Sequence, residues 1–385
     1  MFTRYINFIT LSSLLIVRYS IFILTLVFAY VYIPFSSDFT YMSIPEAEHL
    51  SRWVSLWANF DGEHYLHIAR EGYHDIDRAF FPLFPHIIRF LHQVTGINSL
   101  IVGFVFNQII FCISICVLLH MLKKFFKVKK PMLFILFMLL YPTSFYYSAV
   151  YTESLFLFCT LMSLLFLYEN KVILFSIMAI CTSLTRIQGA FILIPAFFSF
   201  YIFGDSFISN IKRIVRSHLY ICAPLIGLAV YMFYLYKVTG NPLYFLTAQS
   251  SFGANRSSSI ILLPQVYYRY FRIFTISSYN YQYFIAVIEF LMFNFCLILS
   301  IVHGYVSYKE KNKYGLGIAL FSLVNLLLPT LTGTLSSTPR YTLFALSPYF
   351  LMIRWKPWVQ YVVGTIFILV QVILLAFFAQ GHFVS

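Results

Sequence analysis

The sequence predicts an all-α, polytopic membrane protein, and three observations carry that prediction. Hydrophobic residues make up 61% of the chain and charged residues only 10%, against roughly 25% charged in ordinary soluble domains. Apolar runs approaching the roughly 20 residues a helix needs to cross a bilayer recur from one end to the other. The basic surplus, a net charge of +13, sits in short clusters between those runs. That is the positive-inside pattern of membrane topology, and it excludes the solvated basic face that nucleic acid requires.

The elements follow in order. The first run, about 19–35, is preceded by Arg4 and Arg18 and lacks a small-residue cleavage site, so it reads as a retained helix with a cytoplasmic N-terminus. Further runs lie at about 98–121, 131–149, 151–168, 218–236, 284–306, 315–332 and 359–380. Shorter runs near 172–184, 187–203 and 341–353 are expected to cross with help from neighbouring helices. Roughly eleven crossings place Lys123, Lys124, Lys127, Lys129 and Lys130, then Lys171, then Lys212, Arg213 and Arg216, then Lys309, Lys311 and Lys313, then Arg354 and Lys356, all on the cytoplasmic side. Two long extracytoplasmic segments result, 36–97 and 237–283, within one bilayer-embedded domain over 1–385. All six cysteines (Cys112, Cys116, Cys159, Cys181, Cys222, Cys296) fall inside apolar runs, which argues against a disulfide framework or a CxxC zinc site.

Carboxylates point to the chemistry. Of 13 acidic residues, eight (Asp38, Glu46, Glu48, Asp61, Glu63, Glu71, Asp75, Asp77) lie between the first two apolar runs. Within that loop Ser43-Ile-Pro-Glu46 has the form of a capping box, and Leu50, Trp53, Val54 and Trp57 recur at helical spacing, predicting an amphipathic helix on the membrane surface. Asn59–Gly62 interrupts it, and a second helix is expected from Asp61, at the N-cap, to the stop at Gly72. His64 and His67, three apart on one helical face, could ligate a divalent metal together with Asp61 or Glu63, although no HExxH pattern is present.

Two arginines stand out elsewhere. Arg340, beside Pro339, and Arg186, between two short apolar runs, carry charge at a depth where it is costly unless it meets a cavity or a partner. A guanidinium can hold phosphate oxygens bidentately, while a structural pair between Arg186 and Glu153 is the plainer alternative. Glu153 at a helix start can equally be a cap. Glu289 lies deeper, with no partner evident from its neighbours. The segment 241–283 mixes Gln249, Asn255, Arg256, Gln265, Arg269 and Arg272 with aromatic residues, as an interfacial loop does.

Several of these blocks carry a family resemblance. Asp61-Gly-Glu63-His64-Tyr65, then Ile68-Ala-Arg-Glu-Gly72-Tyr73, then Phe80-Phe-Pro-Leu-Phe-Pro85 resemble the first luminal loop of the PIG-V family of mannosyltransferases. Those proteins carry Trp-Asp-x-Glu-His-Phe, Ile-Ala-x-x-Gly-Tyr and Phe-Phe-Pro-x-x-Pro. The similarity continues in order at Tyr141-Pro142 through Glu153-Ser154, Thr185-Arg186-Ile-Gln188-Gly189, Gly240-Asn-Pro-Leu243 with Ala248-Gln249, and Pro339-Arg340-Tyr341. Phe60 departs from the family's tryptophan, Gln188 from its small polar residue or Asn, and the chain is short.

The resemblance implies a GT-C-like fold and an inverting transfer of a hexose, mannose by analogy, from a polyprenyl- or dolichyl-phosphate carrier to an extracytoplasmic glycan or glycolipid. Asp61 is then the expected base for the acceptor hydroxyl, with Glu63 and His64 beside it. Arg340 and Arg186, with Gln188 and Tyr341, are the expected donor-phosphate ligands, and Glu153 and Gln249 have acceptor or structural roles. The lipid-linked sugar is the donor substrate, and a divalent metal is the one cofactor the loop suggests. A short relative of this kind fits a bacterial cytoplasmic membrane, with the endoplasmic reticulum as the alternative. A transporter or flippase of a lipid-linked sugar is the rival reading, against which stands the lack of an inverted repeat. An intramembrane metal hydrolase is a third, disfavoured because the histidines cluster in one loop.

Overall fold

A bilayer offers the backbone no hydrogen-bond partners, so an apolar chain must satisfy its own N–H and C=O groups, and helices do so within one segment. The computed structural model describes residues 8–36, 50–249, 256–257 and 259–384, and among these residues there is helix and no strand. The Ser43–Glu46 capping box, Asp38, Glu48 and Asn255 lie outside the described residues. Among the described residues, six helices are long and apolar enough to cross a membrane: Ile9–Tyr32, Ser99–Lys124, Leu219–Thr239, Tyr281–Lys309, Lys313–Thr330 and Pro357–Ala379. Large apolar side chains such as Ile23, Leu24, Ile109, Phe233, Ile298 and Leu369 are exposed on their outer faces, as lipid-facing positions are. The chain is an α-helical protein with the helices of a multi-pass membrane protein.

The chain divides into two compact units, Met1–Phe158 with Met352–Val384 and Cys159–Leu351. In the first unit, α1 (Phe8–Tyr32) packs along the C-terminal helix (Pro357–Ala379). The expected surface helix appears as a short helix, Arg52–Ser55, running into a 3-10 turn, Leu56–Ala58. Trp53 is exposed while Trp57 is buried, so only one of the two tryptophans faces outward. Next come α2 (Asp61–Arg70), α3 (Leu83–Thr95) and α4 (Ser99–Lys124), each packed on the one before it.

The run expected at 131–149 stops early. Helix α5 spans Pro131–Leu140, and Tyr141 turns extended (φ −56°, ψ 136°), because the residue before a proline is pushed out of the helical region. A 3-10 turn at Ser144–Tyr147 follows, fully buried, before α6 (Glu153–Tyr168) begins. Buried irregular backbone needs side-chain partners. Gln371 Nε2 donates to the carbonyls of Leu139 (3.1 Å) and Tyr141 (2.9 Å), and Asn107 Nδ2 donates to those of Ala149 and Tyr151. Arg18 donates to the Ser144 carbonyl at 2.8 Å, with its guanidinium against the rings of Phe22 and Phe111. Arg18 is therefore not the cytoplasmic flank expected of it. It sits inside a candidate span, where polar partners and aromatic faces stand in for water.

In the second unit, α7 (Val172–Thr185) and α8 (Ala223–Thr239) approach backbone to backbone. A Cβ on Gly227 would meet the Ile180 carbonyl oxygen at 2.5 Å, so glycine permits the crossing. Helix α7 ends at Thr185 and the chain folds back through a 3-10 turn, Ile187–Ile192. There a Cβ on Gly189 would collide with the Thr182 carbonyl, so the fold-back too requires glycine. The surface helix α9 (Leu263–Ile276) packs against α10 (Tyr281–Lys309), which packs along α11 (Lys313–Thr330). The run expected over 341–353 is split. A short helix α12 (Thr338–Tyr341) passes into a 3-10 turn, Thr342–Phe344, and then into Ser347–Met352.

Candidate functional site

The described part of the acidic loop, residues 50–97, contains α2. Asp61 is the first residue of this helix, and the cap position falls on Phe60, so Asp61 is not the N-cap the sequence suggested. The reason is backbone conformation: Phe60 takes φ 61° and ψ −119° and turns the chain into the helix itself. A non-glycine residue there stores of the order of 1–3 kcal/mol, which persists only where surrounding contacts hold it. Those contacts are present. The Phe60 ring packs on Phe378 and Phe383, both with centroids at 5.8 Å. Asn59 donates to the Phe378 carbonyl at 2.8 Å, Tyr151 Oη donates to the Asn59 carbonyl at 2.6 Å, and Val150 N–H donates to the Trp57 carbonyl at 2.8 Å.

Gly62 closes the joint. A Cβ there would lie 3.3 Å from Ala58 and from Tyr151 and 3.4 Å from the Val150 carbonyl. Asp61, Glu63 and His64 are half-buried around this tight turn, while Tyr65, Leu66, Ile68 and Ala69 form the inner face of α2. The first two carboxylates thus sit in the first turn of a helix, where the backbone N–H groups favour negative charge.

Asp77 organises the other end of the loop. Its carboxylate is buried, with Oδ1 2.8 Å from His64 Nδ1 and Oδ2 2.7 Å from His67 Nδ1. Burial pushes the Asp77 carboxyl up, but the hydrogen bonds and positive charge from His64 and His67 outweigh it, leaving the group below the ordinary carboxylate value. His64 also stacks on Phe80 (4.9 Å, 21°), Tyr65 meets the same ring edge-on, and Tyr73 Oη donates to the Phe80 carbonyl at 3.0 Å. The three sequence blocks at 61–65, 68–73 and 80–85 thus fold as one body. Asp77, whose carboxylate holds His64 and His67 of α2, was visible in sequence only as one acid among eight.

The second unit gathers the arginines. Arg186, buried and extended at the end of α7, lays its guanidinium over Tyr341 (4.8 Å) and Phe344 (5.0 Å). Arg340, buried on α12, has its guanidinium 5.8 Å from the same Tyr341 ring. Gln188 is buried in the turn after Arg186. Arg256 bridges Gln249 Oε1 and Ser337 Oγ, both at 3.1 Å, tying the interfacial segment to the start of α12. Glu289 acquires the partner its sequence neighbours did not name: Tyr270 Oη donates to its carboxylate at 2.5 Å and accepts from Leu335 N–H at 3.2 Å. Beside them a cavity of about 490 Å³ opens between Arg269, Tyr270, Arg272, Gly333 and Thr334. Asp61, Glu63, His64 and Glu153 belong to the first unit, and Arg186, Gln188, Gln249, Arg340 and Tyr341 to the second.

Sequence reading missed the polar side chains that carry the buried turn at 141–152, namely Arg18, Asn107 and Gln371. The available signal was their isolation inside apolar runs, where an amide or guanidinium must find a partner. Among known proteins, no family model, no curated protein and no solved structure matches the chain.

Proposed function

We propose that the protein is a GT-C-type membrane glycosyltransferase that moves a hexose, mannose by resemblance to the PIG-V family, from a polyprenyl-phosphate carrier to an extracytoplasmic glycan or glycolipid hydroxyl. The observation that carries this reading is the strained Phe60–Asp61 turn, clamped by Asn59, Tyr151, Val150 and Gly62. Strain is retained where a side chain must be held in one place, and what this turn holds is a half-buried carboxylate. On this reading about eleven crossings put the loop outside, in the bacterial cytoplasmic membrane or, for a eukaryotic chain, the endoplasmic reticulum.

Asp61 takes the proton of the acceptor hydroxyl as its oxygen bonds to the anomeric carbon. The bond from that carbon to the phosphate oxygen breaks, and the polyprenyl phosphate departs with the electron pair. Base catalysis of this kind contributes roughly 10²–10⁴-fold. Glu63 lies on the same first turn as a second ligand for sugar or acceptor, and His64, held by Asp77 and Phe80, lines that turn. Arg340 and Arg186, with Gln188 and Tyr341, receive the phosphate charge. Their burial supports that role, since buried guanidinium groups gain most from a bound anion. Glu153, buried in the first unit, and Gln249, bonded to Arg256 in the second, take acceptor or structural roles.

Membranes containing the chain should transfer labelled mannose from polyprenyl-phosphate mannose to lipid or glycan, and membranes without it should not. Movement of intact lipid-linked sugar across vesicles, with no transfer, would favour the transporter reading instead.

A further inference from the structure

The C-terminal half of α2 holds a group of side chains that the transfer chemistry leaves unused. His67 and Glu71 are four apart on one helical face, with His67 Nε2 3.2 Å from Glu71 Oε2. Gly72, at φ 98°, reverses the chain and returns His74 to the same face, its ring 4.8 Å from that of His67. One ligand atom from each of His67, Glu71 and His74 lies within 4.8 Å of the others.

We propose that His67, Glu71 and His74 bind Zn²⁺, with the fourth position left to water or an oxygen anion. Two imidazoles and one carboxylate are a donor set that suits zinc. Tetrahedral zinc with bonds of about 2.0–2.2 Å places neighbouring donors about 3.3–3.5 Å apart, close to the His67–Glu71 spacing already present. Glu71 and His74 are exposed and free to close the remaining ångström. Asp77 supplies the outer contact: by accepting from His67 Nδ1 at 2.7 Å it turns the Nε2 lone pair toward Glu71, the carboxylate–histidine–metal arrangement of many zinc sites. The competing occupant of that spacing is a proton shared between His67 and Glu71.

The test needs no sugar substrate, so its outcome is separate from that of the transferase reading. Full-length protein in detergent is stripped with chelator and titrated with Zn²⁺ against a chromophoric competitor. About one zinc per chain is expected, with affinity lowered at least tenfold in both His74→Ala and Glu71→Gln. Asp77→Asn should lower it about 10–100-fold, and His92→Ala, on the next helix, should leave it unchanged. Zn²⁺ should also raise the unfolding temperature of wild type but not of His74→Ala, which separates lost binding from lost fold. No stoichiometric zinc, or zinc lost equally in His92→Ala, or zinc retained in His74→Ala and Glu71→Gln, would overturn the proposal.

Discussion

Phe60 and Gly62 flank Asp61 and fix it by opposite means, one by adopting a backbone conformation most residues avoid, the other by having no side chain. A methyl group on Gly62 would press on Ala58, Tyr151 and the Val150 carbonyl at 3.3–3.4 Å. Gly62→Ala should therefore cost about 1–3 kcal/mol as overpacking, read as a lower unfolding temperature, and should reduce transfer further by shifting Asp61. An unfolding temperature and transfer rate equal to wild type would mean that the turn tolerates movement. Arg186 and Arg340 allow a sharper comparison, because lysine keeps charge but not the planar fork. Arg340→Lys should raise the donor KM and lower kcat while leaving the unfolding temperature near wild type, and unchanged donor kinetics would remove Arg340 from the phosphate site.

The buried turn at 141–152 carries α2. Tyr151 donates to Asn59, and Thr152 lies against Tyr65 across the same contact. Tyr151→Phe removes one hydrogen bond of about 1 kcal/mol, so hydrogen exchange in residues 57–72 should quicken about fivefold while α4 is unaffected. Uniform protection would show that the aromatic packing alone holds the joint. The same elements show where sequence was legible. Helices α4, α8, α10, α11 and the C-terminal helix fall within a few residues of the apolar runs that predict them, because a lipid-facing helix is read from composition alone. The 131–149 run is overextended and the 341–353 run is split, since hydropathy stays high through Pro142 and across the 3-10 turn at Thr342–Phe344, where local conformation interrupts the helix. At the site, the 61–65 segment was legible as the place of interest. The Phe60 conformation and the Asp77 bridge were not, because both depend on contacts with residues ten or more positions away.

Six helices among the described residues are long and apolar enough to cross a membrane and support a multi-pass protein, and the proposed orientation puts α2 opposite the lysine cluster at 123–130. In a cysteine-free background, an impermeant thiol reagent should label Asp75→Cys from the extracytoplasmic side of intact cells and Lys127→Cys only after permeabilisation. The reverse pattern would put the acidic loop on the wrong side for a polyprenyl-phosphate sugar donor. If Asp61 is the base of a glycosyl transfer, its removal must show in the initial rates of labelled mannose transfer from polyprenyl-phosphate mannose by wild type and Asp61→Asn at matched abundance. The expected rate for Asp61→Asn is lower by about 10²–10⁴-fold with donor binding retained; transfer by Asp61→Asn at the wild-type rate would remove Asp61 from the base role.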